Sequence, residues 1–140
     1  MKLSTKSRYG ARILVELARH HATGIPLQVS EIARRQDIPM KYLEQLIRLL
    51  RLAGIVRSVR GPKGGHVLNV PPEEISLGRV VRLFEGQDEL VECISSPETC
   101  IKAPSCRFRQ AWKEATDALY ANLDQVKISD LMDPHSPTQK

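Results

Sequence analysis

"YLEQLIRLLRLAGIVRSVRGPKGGHVLNV", residues 42–70, carries two periodicities that meet at one glycine. Before Gly54, the apolar positions Leu43, Leu46, Ile47 and Leu50 recur three and four residues apart, as on one buried helix face. After it, two short β-branched runs flank the glycine-rich turn Gly61–Gly65, which predicts a β-hairpin. The helix starts at Pro39, whose missing N–H costs nothing in a first turn, and Gly54 is its expected C-cap.

Upstream, Val29–Gln36 reads as a short helix burying Val29, Ile32 and Ala33, and "QDIP" breaks the chain after it. A longer helix is predicted from Arg8 to His21 on Ile13, Leu14, Leu17 and Ala18, stopped by "ATGIP". Two short helices joined by a tight break make a helix-turn-helix pattern. A lone amphipathic pair could simply present a solvated face. The hairpin directly behind it decides for a winged helix-turn-helix over residues 1–72, in a mainly α protein.

The outer face of the second short helix shows Met40, Lys41, Glu44, Gln45, Arg48 and Arg51, with Tyr42 beside them. Gln can bond adenine edges, Glu can accept from cytosine N4, and Lys or Arg can reach guanine or phosphate. Arg60 and Lys63 fall near the wing tip, where glycines let backbone amides approach phosphates or a groove wall closely. A nucleotide phosphate loop is excluded, because G-x-x-x-x-G-K-[ST] is missing and the glycines lie between strands.

Charge agrees with this reading. Residues 1–65 hold 13 Lys/Arg against 4 Asp/Glu (+9), and residues 66–140 hold 8 against 12 (−4), for a net +5. That asymmetry points the N-terminal half at a polyanion, here a double-stranded DNA operator. A length of 140 residues fits one domain or a small domain with an added element. Apolar content of 41% supports a core, and aromatics at 4% make it one of Leu, Ile, Val and Ala. No apolar run nears the ~20 residues of a membrane span, and "MKLSTKSRYG" lacks a secretory h-region. The expectation is a cytoplasmic protein without a membrane partner, in which clustered cysteines bind metal or sense redox state.

Downstream, a connecting helix (Ser76–Glu85 within 73–90) carries Leu77, Val80, Val81 and Phe84 on one side. A cysteine segment, 91–106, follows. From Arg107 the stripe Phe108, Ala111, Trp112, Ala115, Leu119, Leu123 and Val126 predicts a long amphipathic helix in segment 107–132, before a polar tail, 133–140, expected to be flexible. That stripe exceeds what one small core needs, so it reads as a homodimerisation helix; packing within its own chain is the alternative. A dimer would set two wings on a two-fold operator.

All three thiols, Cys93, Cys100 and Cys106, stand in "CISSPETCIKAPSC" with six and five residues between them. Such soft ligands suit an iron–sulfur cluster, zinc or copper(I). Structural zinc usually takes four protein ligands in C-x₂₋₄-C pairs, whereas iron–sulfur ligation tolerates this spacing better. Redox-sensing thiols and a zinc-stabilised structural dimer remain alternatives. A thiol enzyme would need a base and an oxyanion site, and nothing in the sequence assembles them.

As a set, "MKLSTKSRYG", "LEQL", "SVRGPKGG", the cysteine triplet and "ISDLM" resemble the Rrf2 family of bacterial transcription regulators, most closely its IscR-type, cluster-sensing members. The resemblance implies a dimeric winged helix-turn-helix with a long C-terminal dimerisation helix. It implies cluster ligation by Cys93, Cys100 and Cys106, and DNA contacts from Tyr42, Glu44, Gln45 and Arg60. The targets it implies are genes of cluster assembly, iron handling or sulfur metabolism, under repression or dual regulation. The chain departs from the [2Fe–2S] pattern at Arg109, where that pattern has a histidine as fourth ligand. It departs from a nitric-oxide-sensing subgroup at Arg8, where an acidic residue is expected. Glu92 and Glu98 are candidates for the fourth position, and His20, His21 and His66 are more distant in sequence. A [4Fe–4S] cluster with one open iron is slightly preferred over [2Fe–2S]. A cluster-free member controlled by a partner protein or by cysteine oxidation is the rival within the family.

Overall fold

A computed structural model of the chain describes residues 2–86, 94, 96–99, 101 and 103–132. Cys93, Cys100, Glu92 and the tail 133–140 lie outside the described residues. Helix α1 spans Thr5–Arg19, α2 Val29–Gln36 and α3 Met40–Leu52. Strands β1 (Val56–Val59) and β2 (Gly65–Leu68), then α4 (Leu77–Glu85) and α5 (Arg107–Gln125), complete the main elements.

Helix α1 begins three residues before the expected Arg8, because Ser4 caps it: the Ser4 side chain accepts from the Ser7 amide at 3.3 Å. The α2–α3 break is tight because Asp37 takes a left-handed conformation, φ 53°, and its amide returns to the Ala33 carbonyl. Pro39 stands just outside α3 as its N-cap. Gly54, at φ 78°, then reverses the chain from α3 into β1. That conformation costs glycine little and other residues more.

The wing is an antiparallel pair in register Val56↔Leu68, Arg57↔Val67, Ser58↔His66 and Val59↔Gly65. The Gly64 amide closes its turn on the Gly61 carbonyl at 2.9 Å. Leu27 adds a third edge, exchanging both backbone hydrogen bonds with His66 at 3.0 and 2.8 Å. A side chain at Gly65 would strike the Leu27 carbonyl, so this close crossing requires glycine. The sequence pattern did not predict this third edge.

One core joins Leu14, Leu17, Ile32, Leu43, Leu46, Leu50 and Ile55 to Ile75, Val80, Phe84 and Ile128. Gly10 lets α1 approach α4 closely enough that Phe84 lies flush on its backbone. Glu16, buried in α1, receives Gln36 Nε2 at 2.6 Å, Arg19 at 3.0 Å and Arg35 at 3.4 Å, tying α1 to α2. Helix α5 docks on α4 through Tyr120 and through the Arg82–Asp124 pair at 2.7 and 3.1 Å. Its apolar stripe is only partly covered. Leu119, Leu123 and Val126 are half-buried, while Ala111, Ala115, Phe108 (71% exposed) and Trp112 (43% exposed) face outward. The fold is a mainly helical winged helix-turn-helix with a long C-terminal helix.

Candidate nucleic-acid interface and cysteine segment

Leu43, Leu46, Ile47 and Leu50 pin α3 to the core, so its opposite side must face outward. Lys41, Gln45, Arg48 and Leu52 form the centre line of that outer face, four, three and four residues apart. Met40, Glu44 and Arg51 flank it on one side, and all are exposed. Tyr42 differs from the others: it is half-buried, its ring edge-on to Tyr9 at 5.9 Å, with Arg12 over the Tyr9 ring. Arg60 and Lys63 are exposed at the wing turn, as the sequence predicts.

The thirteen cations of residues 1–65 divide into three groups: Lys2, Lys6, Arg8 and Arg12 lie on and before α1, with Arg12 bonded to Gln36. Arg34 and Arg35 of α2 are engaged by Glu31, and Arg35 and Arg19 by Glu16. Lys41, Arg48, Arg51, Arg57, Arg60 and Lys63 have no carboxylate partner among the described residues. These six cations lie on α3 and the wing and make up most of the N-terminal half's charge that no carboxylate offsets among the described residues. Glu44, the one acidic residue of α3, stands four residues from Arg48, and the two form no ion pair among the described residues. The His66 imidazole is held below its ordinary pKa by burial first and by the Arg51 charge second. It is therefore neutral at pH 7 and part of the wing's packing.

Sequence reasoning left Arg57 out of the site. Val56 is buried and Arg57 exposed on β1, and Arg57 lines a cleft together with Arg48 and Arg51 of α3.

Cys106 is the described member of the thiol triplet. It is the N-cap of α5, half-exposed, and its Sγ accepts the Arg109 amide at 3.4 Å. A partly accessible sulfur at a helix N-terminus is a soft donor open to a metal or an oxidant. Arg109 offers no donor atom; its guanidinium instead donates to the Ile94 carbonyl at 2.9 Å, fastening the cysteine segment to α5. Glu98 is exposed in a short 3₁₀ turn, Pro97–Thr99. Among the described residues, no three His, Cys, Asp or Glu come together around a metal position. His20 is half-buried with Nδ1 3.2 Å from the Glu16 carbonyl, and His21 is exposed.

A family model for Rrf2, an iron-dependent transcriptional regulator, matches residues 3–134. The protein named rrf2 from Nitratidesulfovibrio vulgaris is 42% identical, over 94% of this chain and 87% of its own length. Two solved structures superpose over most of the chain. One is CymR, the global cysteine regulator of B. subtilis, with TM-score 0.77, 38% identity, and 94% and 96% of the two chains covered. The other is T. potens IscR, with TM-score 0.78, 31% identity, and 100% and 92% covered.

Proposed function

The chain belongs to the Rrf2 family of transcriptional regulators, and from that premise we propose that it is a homodimer whose operator affinity is set by the state of Cys93, Cys100 and Cys106. It is a DNA-binding regulator; the family and its relatives are regulators and not enzymes. The observation that carries the proposal is the placement of Cys106. The thiol that closes the cysteine segment also caps α5, the helix that offers Phe108 and Trp112 for a second copy. A change at that sulfur acts directly on the first turn of the helix.

In this reading, Met40, Lys41, Glu44, Gln45 and Arg48 face the major groove, and Tyr42 orients the helix through Tyr9. Arg60 and Lys63 reach backbone or minor groove from the wing. The three cysteines hold an iron–sulfur cluster, and Arg109 cannot complete its ligand set. The fourth position then falls to Glu92, Glu98 or a small molecule, which favours [4Fe–4S] over [2Fe–2S]. The cluster supplies a group sensitive to oxidants and to iron supply. The chain's own residues do the rest: Cys106 caps α5, and Arg109 holds the Ile94 backbone against it. Residues 1–72 bind DNA, 73–90 connect, 91–106 sense and 107–132 dimerise.

A second reading is favoured by Arg109 and by the similarity to CymR: the thiols act without a cluster, through oxidation or a partner protein. Anaerobic purification separates the two. Absorption, iron, sulfide and zinc are measured on the wild type and on Cys106→Ala. Matched iron and sulfide, lost in the variant, support the cluster. A colourless, iron-free protein, from cells that load a reference cluster protein, leaves thiol chemistry; zinc alone would indicate a structural metal.

A further inference from the structure

Between the C-terminal half of α3 and β1 lies a cleft lined by four arginines, Arg48, Arg51, Arg57 and Arg60, and by Asn69. Gly54 sets its geometry by turning the chain sharply back, and Asn69 Nδ2 braces the turn by donating to the Gly54 carbonyl at 3.0 Å. None of the four guanidinium groups has a carboxylate partner among the described residues. Four like charges around one cleft repel one another, and a polyanion offsets that repulsion at several points at once. Arginine's planar fork is suited to phosphate oxygens. Leu52, 74% exposed at the cleft edge, offers an apolar surface beside them.

We propose that this cleft is a phosphate seat: Arg51 and Arg57, with Arg48 and Arg60, grip a run of the operator's sugar–phosphate backbone beside the bases that the start of α3 reads. This rests on the DNA-binding reading and adds a site to it. Arg51 and Arg57 contribute affinity and salt dependence but no base preference, because phosphates are the same in every sequence.

The test uses the full chain and a duplex selected by the wild type from a randomised pool, with affinity measured across a salt series. Each phosphate contact contributes about 0.9 to the slope of log K against log salt. The Arg51→Gln/Arg57→Gln pair should therefore flatten the slope by about 2 and weaken binding at least roughly tenfold at low salt, with the ranking of operator variants unchanged. Arg57→Lys should retain most of the slope. Because Arg51 also lies in the last turn of α3, where a cation favours the helix, thermal midpoints are recorded. Should the pair fail to fold, Arg57→Gln alone, at an exposed strand position, should flatten the slope by about 1.

An unchanged slope overturns the seat while leaving DNA binding intact. A flattened slope with altered base ranking overturns the phosphate assignment. Wild-type protein that binds no duplex in a salt-dependent way removes the DNA reading and the seat together.

Discussion

Trp112→Ala tests the dimer at a residue that the chain itself leaves uncovered. Trp112 is 43% exposed and stacks on Phe108, ring centroids 6.4 Å apart. A tryptophan side chain offers roughly 200 Å², so the open part is about 85 Å². At about 25 cal/mol per Å², covering it contributes about 2 kcal/mol. A two-fold interface uses each residue twice, so the variant should weaken the dimer by about 4 kcal/mol, close to a thousandfold in Kd. The fold of each protomer should survive, because the ring is not in the core. Sedimentation equilibrium across a wide concentration range reads the constant, and circular dichroism checks the fold. A change in Kd below tenfold, with helicity retained, would place the interface elsewhere on the chain. Wild-type protein that stays monomeric at high concentration would refute the dimer outright.

Other outcomes follow from the same contacts. Glu44→Ala should change the ranking of operator variants at one base position by about 1–3 kcal/mol, more than it changes affinity for non-specific duplex; an unchanged ranking on a base-substitution series removes Glu44 from readout. Gly10→Ala should destabilise despite alanine's helix preference of about 1 kcal/mol, since the added carbon meets the Phe84 ring and overpacking costs about 1–3 kcal/mol; a raised urea midpoint would contradict this. Glu85 sits below the usual carboxylate range: burial alone would raise it, but hydrogen bonds from the Ser4 and Ser7 side chains (2.5 and 2.6 Å) and the Ser4 amide outweigh that. The unfolded chain therefore takes up this proton first, and stability should fall as the pH drops below about 4.3 and on through the folded-state value. Glu85→Gln should be less stable at neutral pH and show a shallower acid loss in urea titrations; parallel pH profiles would deny the contact.

The DNA-binding half was legible because local rules governed it. Helix α2 has the predicted bounds, α3 differs in that Pro39 stands outside it and Ala53, one residue before the expected Gly54, is its C-cap, and the wing follows the turn glycines. In each, side-chain spacing along a short stretch and special backbone positions agree. What stayed hidden depends on contacts distant in sequence. Nothing near Leu27 marks it as a sheet edge; it pairs because the hairpin, 39 residues later at His66, comes to lie beside it. Nothing near Ser4 marks its tie to Glu85, at the end of α4, whose carboxylate accepts from the Ser4 hydroxyl. Arg57 reads as one more surface cation until Gly54 folds β1 against α3 and makes it a cleft wall. For the cysteines, spacing supplied the chemistry of the donor atoms, and the fold adds that Cys106 caps α5 and that Arg109 is committed to Ile94.

The most direct test of the central claim is operator affinity under anaerobic conditions, measured on protein as isolated and after removal of iron and oxidation of its thiols, for the wild type and Cys106→Ala. A coupling of about 1–3 kcal/mol corresponds to a 5–150-fold change in Kd, and the account predicts a change of that size in the wild type and none in the variant. Equal affinity in every state of the wild type would mean that the cysteine segment does not control DNA binding.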